Sequence, residues 1–168
     1  RGGPEQDPAM ADTIPRRSLY FSIYPEGGGQ IEMLGLFDPP DPCDCYRRSS
    51  SVLPQQSLAM VNSRLVLDQG RLLARRLAEE IAPGGMPVDD LRFVQAAFEQ
   101  VLSRRPRQAE TAACLSFLEK QALLFSNDDL ATDVTPEGRV APSKDPAMRA
   151  RESLVRALCS HNDFITIH

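Results

Sequence analysis

Pro54-Gln55-Gln56-Ser57-Leu58-Ala59-Met60-Val61-Asn62-Ser63-Arg64-Leu65-Val66-Leu67-Asp68-Gln69-Gly70-Arg71-Leu72-Leu73-Ala74-Arg75-Arg76-Leu77 is the stretch where the chain turns helical. Leu58, Val61, Leu65, Leu72 and Leu77 follow one face at helical spacing. Pro54 suits a first helical position, because its fixed φ is already helical and its missing N–H is one the first turn leaves unbonded. Asn62-Ser63 interrupts the run, and the Ser63 hydroxyl can cap a fresh helix after a break. Pro83-Gly84-Gly85 ends the segment.

Downstream, the same period returns three times. Asp89 is a good cap for a second helix carrying Leu91, Val94, Phe98, Val101 and Leu102 on one stripe. A third helix follows Pro106 and turns Leu115, Leu118, Ala122 and Phe125 inward. Ser126 to Lys144 is polar, bears Pro and Gly, and reads as a mobile loop. Asp145-Pro146 then combines a cap with a first-turn proline, so the last helix runs to about Ser160 and buries Leu154, Val155 and Leu158. Phe164, Ile165 and Ile167 close the chain as an apolar tail.

Upstream the pattern is different. Residues 1–17, with Pro4, Pro8 and Pro15, read as a linker or arm. Ser18-Leu19-Tyr20-Phe21-Ser22-Ile23-Tyr24 favours a short strand, stopped by Pro25 and the Gly27-Gly28-Gly29 turn. Pro39, Pro40 and Pro42 exclude helix and central strand around Phe37 to Cys45. The expected architecture is mainly α: a bundle of about four helices over 54–168, on which an irregular or short-stranded, Pro-rich segment 18–53 packs to make one domain.

The chain has 168 residues, enough for a sizeable core without staples. Its net charge of -4 argues against a nucleic-acid surface, which needs a basic footprint. No apolar run approaches the roughly 20 residues that span a bilayer. The opening Arg1-Gly2-Gly3-Pro4 is neither an initiator Met nor a signal peptide, as expected for a piece of a longer chain with an upstream domain as its partner.

The run Cys45-Tyr46-Arg47-Arg48-Ser49-Ser50-Ser51-Val52-Leu53-Pro54-Gln55-Gln56-Ser57-Leu58-Ala59-Met60-Val61-Asn62-Ser63 resembles a stretch of a known family. With Arg16-Arg17-Ser18-Leu19-Tyr20, Phe37-Asp38, Leu73-Ala74-Arg75-Arg76-Leu77, Ala97-Phe98, Leu102-Ser103-Arg104, Ala157-Leu158 and His161-Asn162-Asp163-Phe164, it is similar to the C-terminal domain of large planctomycete-type proteins that often carry a cytochrome-c-like segment. The resemblance implies export, hence an extracytoplasmic location, and a haem held in a separate upstream segment. It brings no activity with it. This chain has no Cys-x-x-Cys-His, so it would bind no covalent haem itself. One departure is Arg107, which stands where similar proteins place a Thr or Ser cap before the third helix.

Candidate sites follow from residue types. Arg47, Arg48, Gln55, Gln56 and Asn62 gather two guanidiniums and several amides, donors suited to a carboxylate, sulfate or sugar; the competing reading ties the Arg pair to the Pro-rich loop or to Asp38 and Asp41. His161 and Asp163 form a secondary candidate for base and orienter, against the plainer reading of a His after a helix C-terminus. Cys43 and Cys45, one residue apart, lack the partners of a metal set; either could bond Cys114 or Cys159, which otherwise read as small core residues. Asp128, Asp129 and Asp133 lack the pattern of a calcium loop. Arg71, Arg75, Arg76, Glu79 and Glu80 read as the wet face of the long helix.

Two functional readings result. The favoured one is a non-catalytic C-terminal binding or assembly module that recognises an anionic or carbohydrate ligand. The other is an accessory part of the active site of an extracytoplasmic hydrolase or haem-linked redox enzyme.

Overall fold

The computed structural model describes residues 54–127 and 139–165. The chain divides into two compact units, residues 1–59 and 60–168. The strand expected at Ser18–Tyr24, the Pro-rich segment to Leu53, residues 128–138 and Ile167 lie outside the described residues.

The protein is mainly helical: α1 (Pro54–Asn62), α2 (Arg64–Ile81), a 3-10 turn (Pro83–Gly85), α3 (Asp90–Leu102), α4 (Gln108–Ser126), α5 (Pro146–Leu158) and the short α6 (Asn162–Ile165). The four long helices, α2 to α5, are the bundle that the periodicity predicts, with α5 packing most extensively on α4 and α2. Among the described residues no helix is long and apolar enough to cross a membrane.

Local chemistry sets the helix boundaries. Asn62 ends α1, and the Ser63 side chain accepts from the Val66 N–H to start α2. Pro83 stops α2, and Gly84 and Gly85 take φ of 74° and 80°, a left-handed turn that a Cβ would strain. Asp89 caps α3 by accepting from Leu91 N–H at 2.9 Å, and Asp145 caps α5 by accepting from the N–H groups of Ala147 and Met148. Ser103, at φ 54°, closes α3 in the left-handed region.

The inward face of α2 keeps Leu77 of the expected leucine stripe but not Leu65 or Leu72. Leu58, Leu65 and Leu72 are exposed, while Val66, Gly70, Ala74, Leu77 and Ala78 are buried. The break at Ser63 resets the helical phase, so spacing counted from Leu58 does not carry into α2. Small residues then face α5: a Cβ built on Gly70 would sit 3.8 Å from Val155 Cγ1. That is ordinary van der Waals contact, so Ala fits there. Gly70→Ala should therefore stabilise the chain by about 0.5–1 kcal/mol through helix propensity, raising the urea midpoint at unchanged slope. A lowered midpoint would mean that the two helices approach more closely.

The core is built by Phe93, Val94, Ala97, Phe98 and Leu102 of α3 against Ala74, Leu77, Leu118, Ala150, Leu154, Val155 and Leu158. Phe93, Val94 and Val155 are its largest fully enclosed side chains. Leu91, expected on the same stripe, lies in the first turn of α3, where that face is uncovered, and is 43% exposed. On α4 only Leu118 is fully buried; Leu115, Ala122 and Phe125 pack partly buried against the core as expected. The closing apolar tail is in part a helix, with Phe164 exposed and Ile165 half-buried.

Candidate functional site

Most of the first candidate cluster falls outside the described residues: Arg47 and Arg48 do, with Cys43 and Cys45. Gln55 and Gln56 lie in the first turn of α1 and Asn62 ends it; Gln56 is buried and Asn62 exposed. Two buried or exposed states eight residues or fewer apart on one helix do not by themselves make a ligand surface. Asp128, Asp129 and Asp133 are likewise outside the described residues.

The second candidate is fully visible, and its hydrogen bonding is wrong for base catalysis. His161 Nδ1 accepts the backbone N–H of Asp163 at 3.1 Å. An orienting carboxylate would need that same nitrogen to carry a proton and donate it. The Asp163 carboxylate, 3.6 Å from Nδ1, is instead held by Arg104 at 2.8 Å. The motif therefore closes the end of α5 and fastens α6.

Arg104 is the centre of that fastening. It donates two hydrogen bonds to Glu110 (2.8 and 2.9 Å) and one to Asp163, and its guanidinium lies 5.4 Å from the Phe98 ring centre. Glu110 in turn accepts the Arg107 N–H at 2.6 Å. This is how α4 starts without a Ser or Thr cap: the Arg107 side chain has no acceptor to offer, so Glu110 reaches back alone. The Arg104 hydrogen bond, followed by the Arg107 N–H, holds the Glu110 carboxyl down at about 2. A depressed carboxylate stabilises the fold fully above its unfolded range and ceases to do so as pH falls through the folded value. Glu110→Gln should accordingly cost about 1 kcal/mol near neutral pH, the size of a lost cap. The gap to the parent should close as pH falls from about 5 towards 2, followed by urea unfolding across that range; a gap independent of pH would contradict the assignment.

The largest concentration of charge was not legible as such in the sequence. Arg75, expected on a wet face, donates from Nε and Nη2 to Glu152 at 2.9 and 2.8 Å, and the Glu152 side chain is only 4% exposed. Arg71 donates to the Val140 carbonyl, and burial pulls its guanidinium below the usual range, with Glu152 and Asp68 pulling the other way. Arg156 donates from Nε and Nη2 to the Val61 carbonyl. Only Arg76, paired with Glu80 at 2.7 Å, behaves as a solvated helix pair. On the next face, Arg151 grips Asp90 with two donors at 2.8 and 3.0 Å and also reaches the Val88 carbonyl.

Residues 139–144, expected as mobile loop, are pinned. Their N–H and carbonyl groups are bonded to Asp68, Arg71, Arg75 and Glu152. Beside them lies an open groove of about 580 Å³ lined by Ala78, Ala82, Met86, Val88 and Met148, with Arg75, Ser143 and Arg151 among its polar walls. Its two guanidiniums already hold Glu152 and Asp90, so a ligand there would have to displace an ion pair.

Cys114 and Cys159 are free thiols, half-buried against the core, and burial pushes both above the usual thiol range. That makes them poor nucleophiles, as small apolar core residues should be. Among the described residues, no three His, Cys, Asp or Glu side chains converge to hold a metal, and no buried side-chain polar atom lacks a hydrogen-bond partner.

Comparison with known proteins places this geometry. No curated protein and no solved structure matches the chain. A family model, PSD1, described as a protein of unknown function (DUF1553), matches residues 3–118, which include α1 to α3 and α4 as far as its buried Leu118. With well over half of its length matched, the chain belongs to the PSD1 family.

Proposed function

We propose that this chain is a non-catalytic binding or assembly module of a larger, exported planctomycete-type protein, and that Arg47 and Arg48 give it a site for an anionic or carbohydrate ligand. What supports the reading is where the visible guanidiniums go. Arg71, Arg75, Arg104, Arg151 and Arg156 all bond carboxylates or main-chain carbonyls of the fold itself. The adjacent Arg47 and Arg48, close in sequence to the amides of the α1 entry, are a pair of donors suited to an outside oxyanion. In this reading the parent protein is extracytoplasmic and haem belongs to its upstream segment.

The test uses the whole chain and an Arg47→Ala/Arg48→Ala double variant on a sulfated polysaccharide, dextran sulfate, by calorimetry at low salt. Binding by the parent that falls roughly tenfold or more in the variant is expected, the loss of charge-assisted hydrogen bonds to an anion. Equal binding by the two chains would remove the ligand assignment. The reading as an accessory to an active site gains nothing from His161, whose Nδ1 lone pair faces a main-chain N–H.

A further inference from the structure

Residues 139–143 run along α2 without regular structure, and side chains hold their backbone. The Asp68 carboxylate accepts from both the Arg139 and the Val140 N–H at 3.0 Å. Arg71 donates to the Val140 carbonyl and Arg75 to the Ala141 carbonyl. Glu152, from α5, accepts the Ser143 N–H at 3.1 Å. Asp68, Arg71 and Arg75 are spaced by three and four residues, so they stand as successive rungs on one side of α2.

Little apolar surface is buried in this contact. Arg139 and Ala141 are exposed, and Val140, Pro142 and Ser143 are only half-buried, whereas the core side chains of α3 and α5 are enclosed. Hydrophobic burial holds the bundle; hydrogen bonds that water can replace hold this stretch. Segments of that kind open locally at a free energy well below that of global unfolding. Ser143 also lines the groove, as do Met86 and Val88.

We infer that residues 139–143 are a releasable strap, which leaves α2 while the helical bundle stays folded and so withdraws Ser143 from the groove. The Asp68 carboxylate is its principal fastening, since it alone holds two successive N–H groups.

Native-state hydrogen exchange on the full chain, over a series of low urea concentrations, tests this. The Arg139 and Val140 amides should be protected, yet exchange through an opening that depends weakly on urea, while Phe93 and Val155 exchange only with global unfolding. Asp68→Asn, which keeps the shape and removes the charge and one acceptor, should speed exchange at residues 139 and 140 roughly tenfold while their weak dependence on urea is retained. The strap is overturned if residues 139 and 140 in the parent track global unfolding or show no protection at all. It is equally overturned if Asp68→Asn leaves their exchange unaltered or gives it the steep urea dependence of Phe93 and Val155. The measurements on the parent decide the matter even should the variant fold poorly.

Discussion

Phe93→Ala is expected to lower the unfolding free energy by about 4 kcal/mol, the largest loss available to a single truncation in this bundle. Phe93 is fully enclosed, at 0% exposure, between α3 and the helices that cover it. The deletion would remove the ring's own burial and leave a void that Val94, Ala97 and Val155, already packed with no exposed surface, can only partly close. The ring also supports the Arg151 guanidinium, 5.8 Å from its centre, so the hold on Asp90 would loosen as well. Set against a typical domain stability of about 5–15 kcal/mol, a loss of that size brings the chain close to unfolding at room temperature. Urea denaturation followed by circular dichroism should show a much lower midpoint at nearly the same slope. A loss under about 1 kcal/mol would show that α3 is not packed as described.

Glu152→Ala should cost about 2–3 kcal/mol. Glu152 bonds two elements at once: Oε1 takes Arg75 and Oε2 takes the Ser143 N–H. Its own side chain is nearly sealed from water, but that of Arg75 is 39% exposed. After truncation Arg75 can turn to solvent, which keeps the cost at the low end of that for breaking a buried pair. Glu152→Gln keeps one acceptor oxygen and should lose about half as much. A double-mutant cycle with Arg75→Ala isolates the pair, with an expected coupling of about 1–2 kcal/mol. Coupling within about 0.3 kcal/mol of zero would reduce this contact to an ordinary surface ion pair.

These two residues also divide what sequence can show from what it cannot. The helix starts at Ser63, Asp89 and Asp145 were legible because capping is a matter of two or three neighbouring residues. The stripe of α3 is legible from Val94, Phe98 and Leu102, although its spacing does not single out Phe93, which is enclosed as fully as Val94. The stripe of α2 is legible at Leu77 and not at Leu65 or Leu72, because the size of a leucine does not mark the inward face. In fact Gly70 and Ala74 lie inward, and smallness there allows close approach to α5. Arg75 looked like solvated charge because its partner lies 77 residues away, and no local pattern links the two. The partial cap from Glu110 was in plain view three residues after Arg107, the one signal that could have settled where α4 begins.

The grips of Asp68, Arg71, Arg75 and Glu152 on residues 139–143 take hold of main-chain atoms. Those grips survive a change of side chain within the stretch, but not the loss of Asp68, Arg71, Arg75 or Glu152. The exception is proline, which has no N–H to give: it would break a bond at 139, 140 or 143. The chain's own proline in this stretch stands at 142, which like 141 is a position whose nitrogen none of these grips uses.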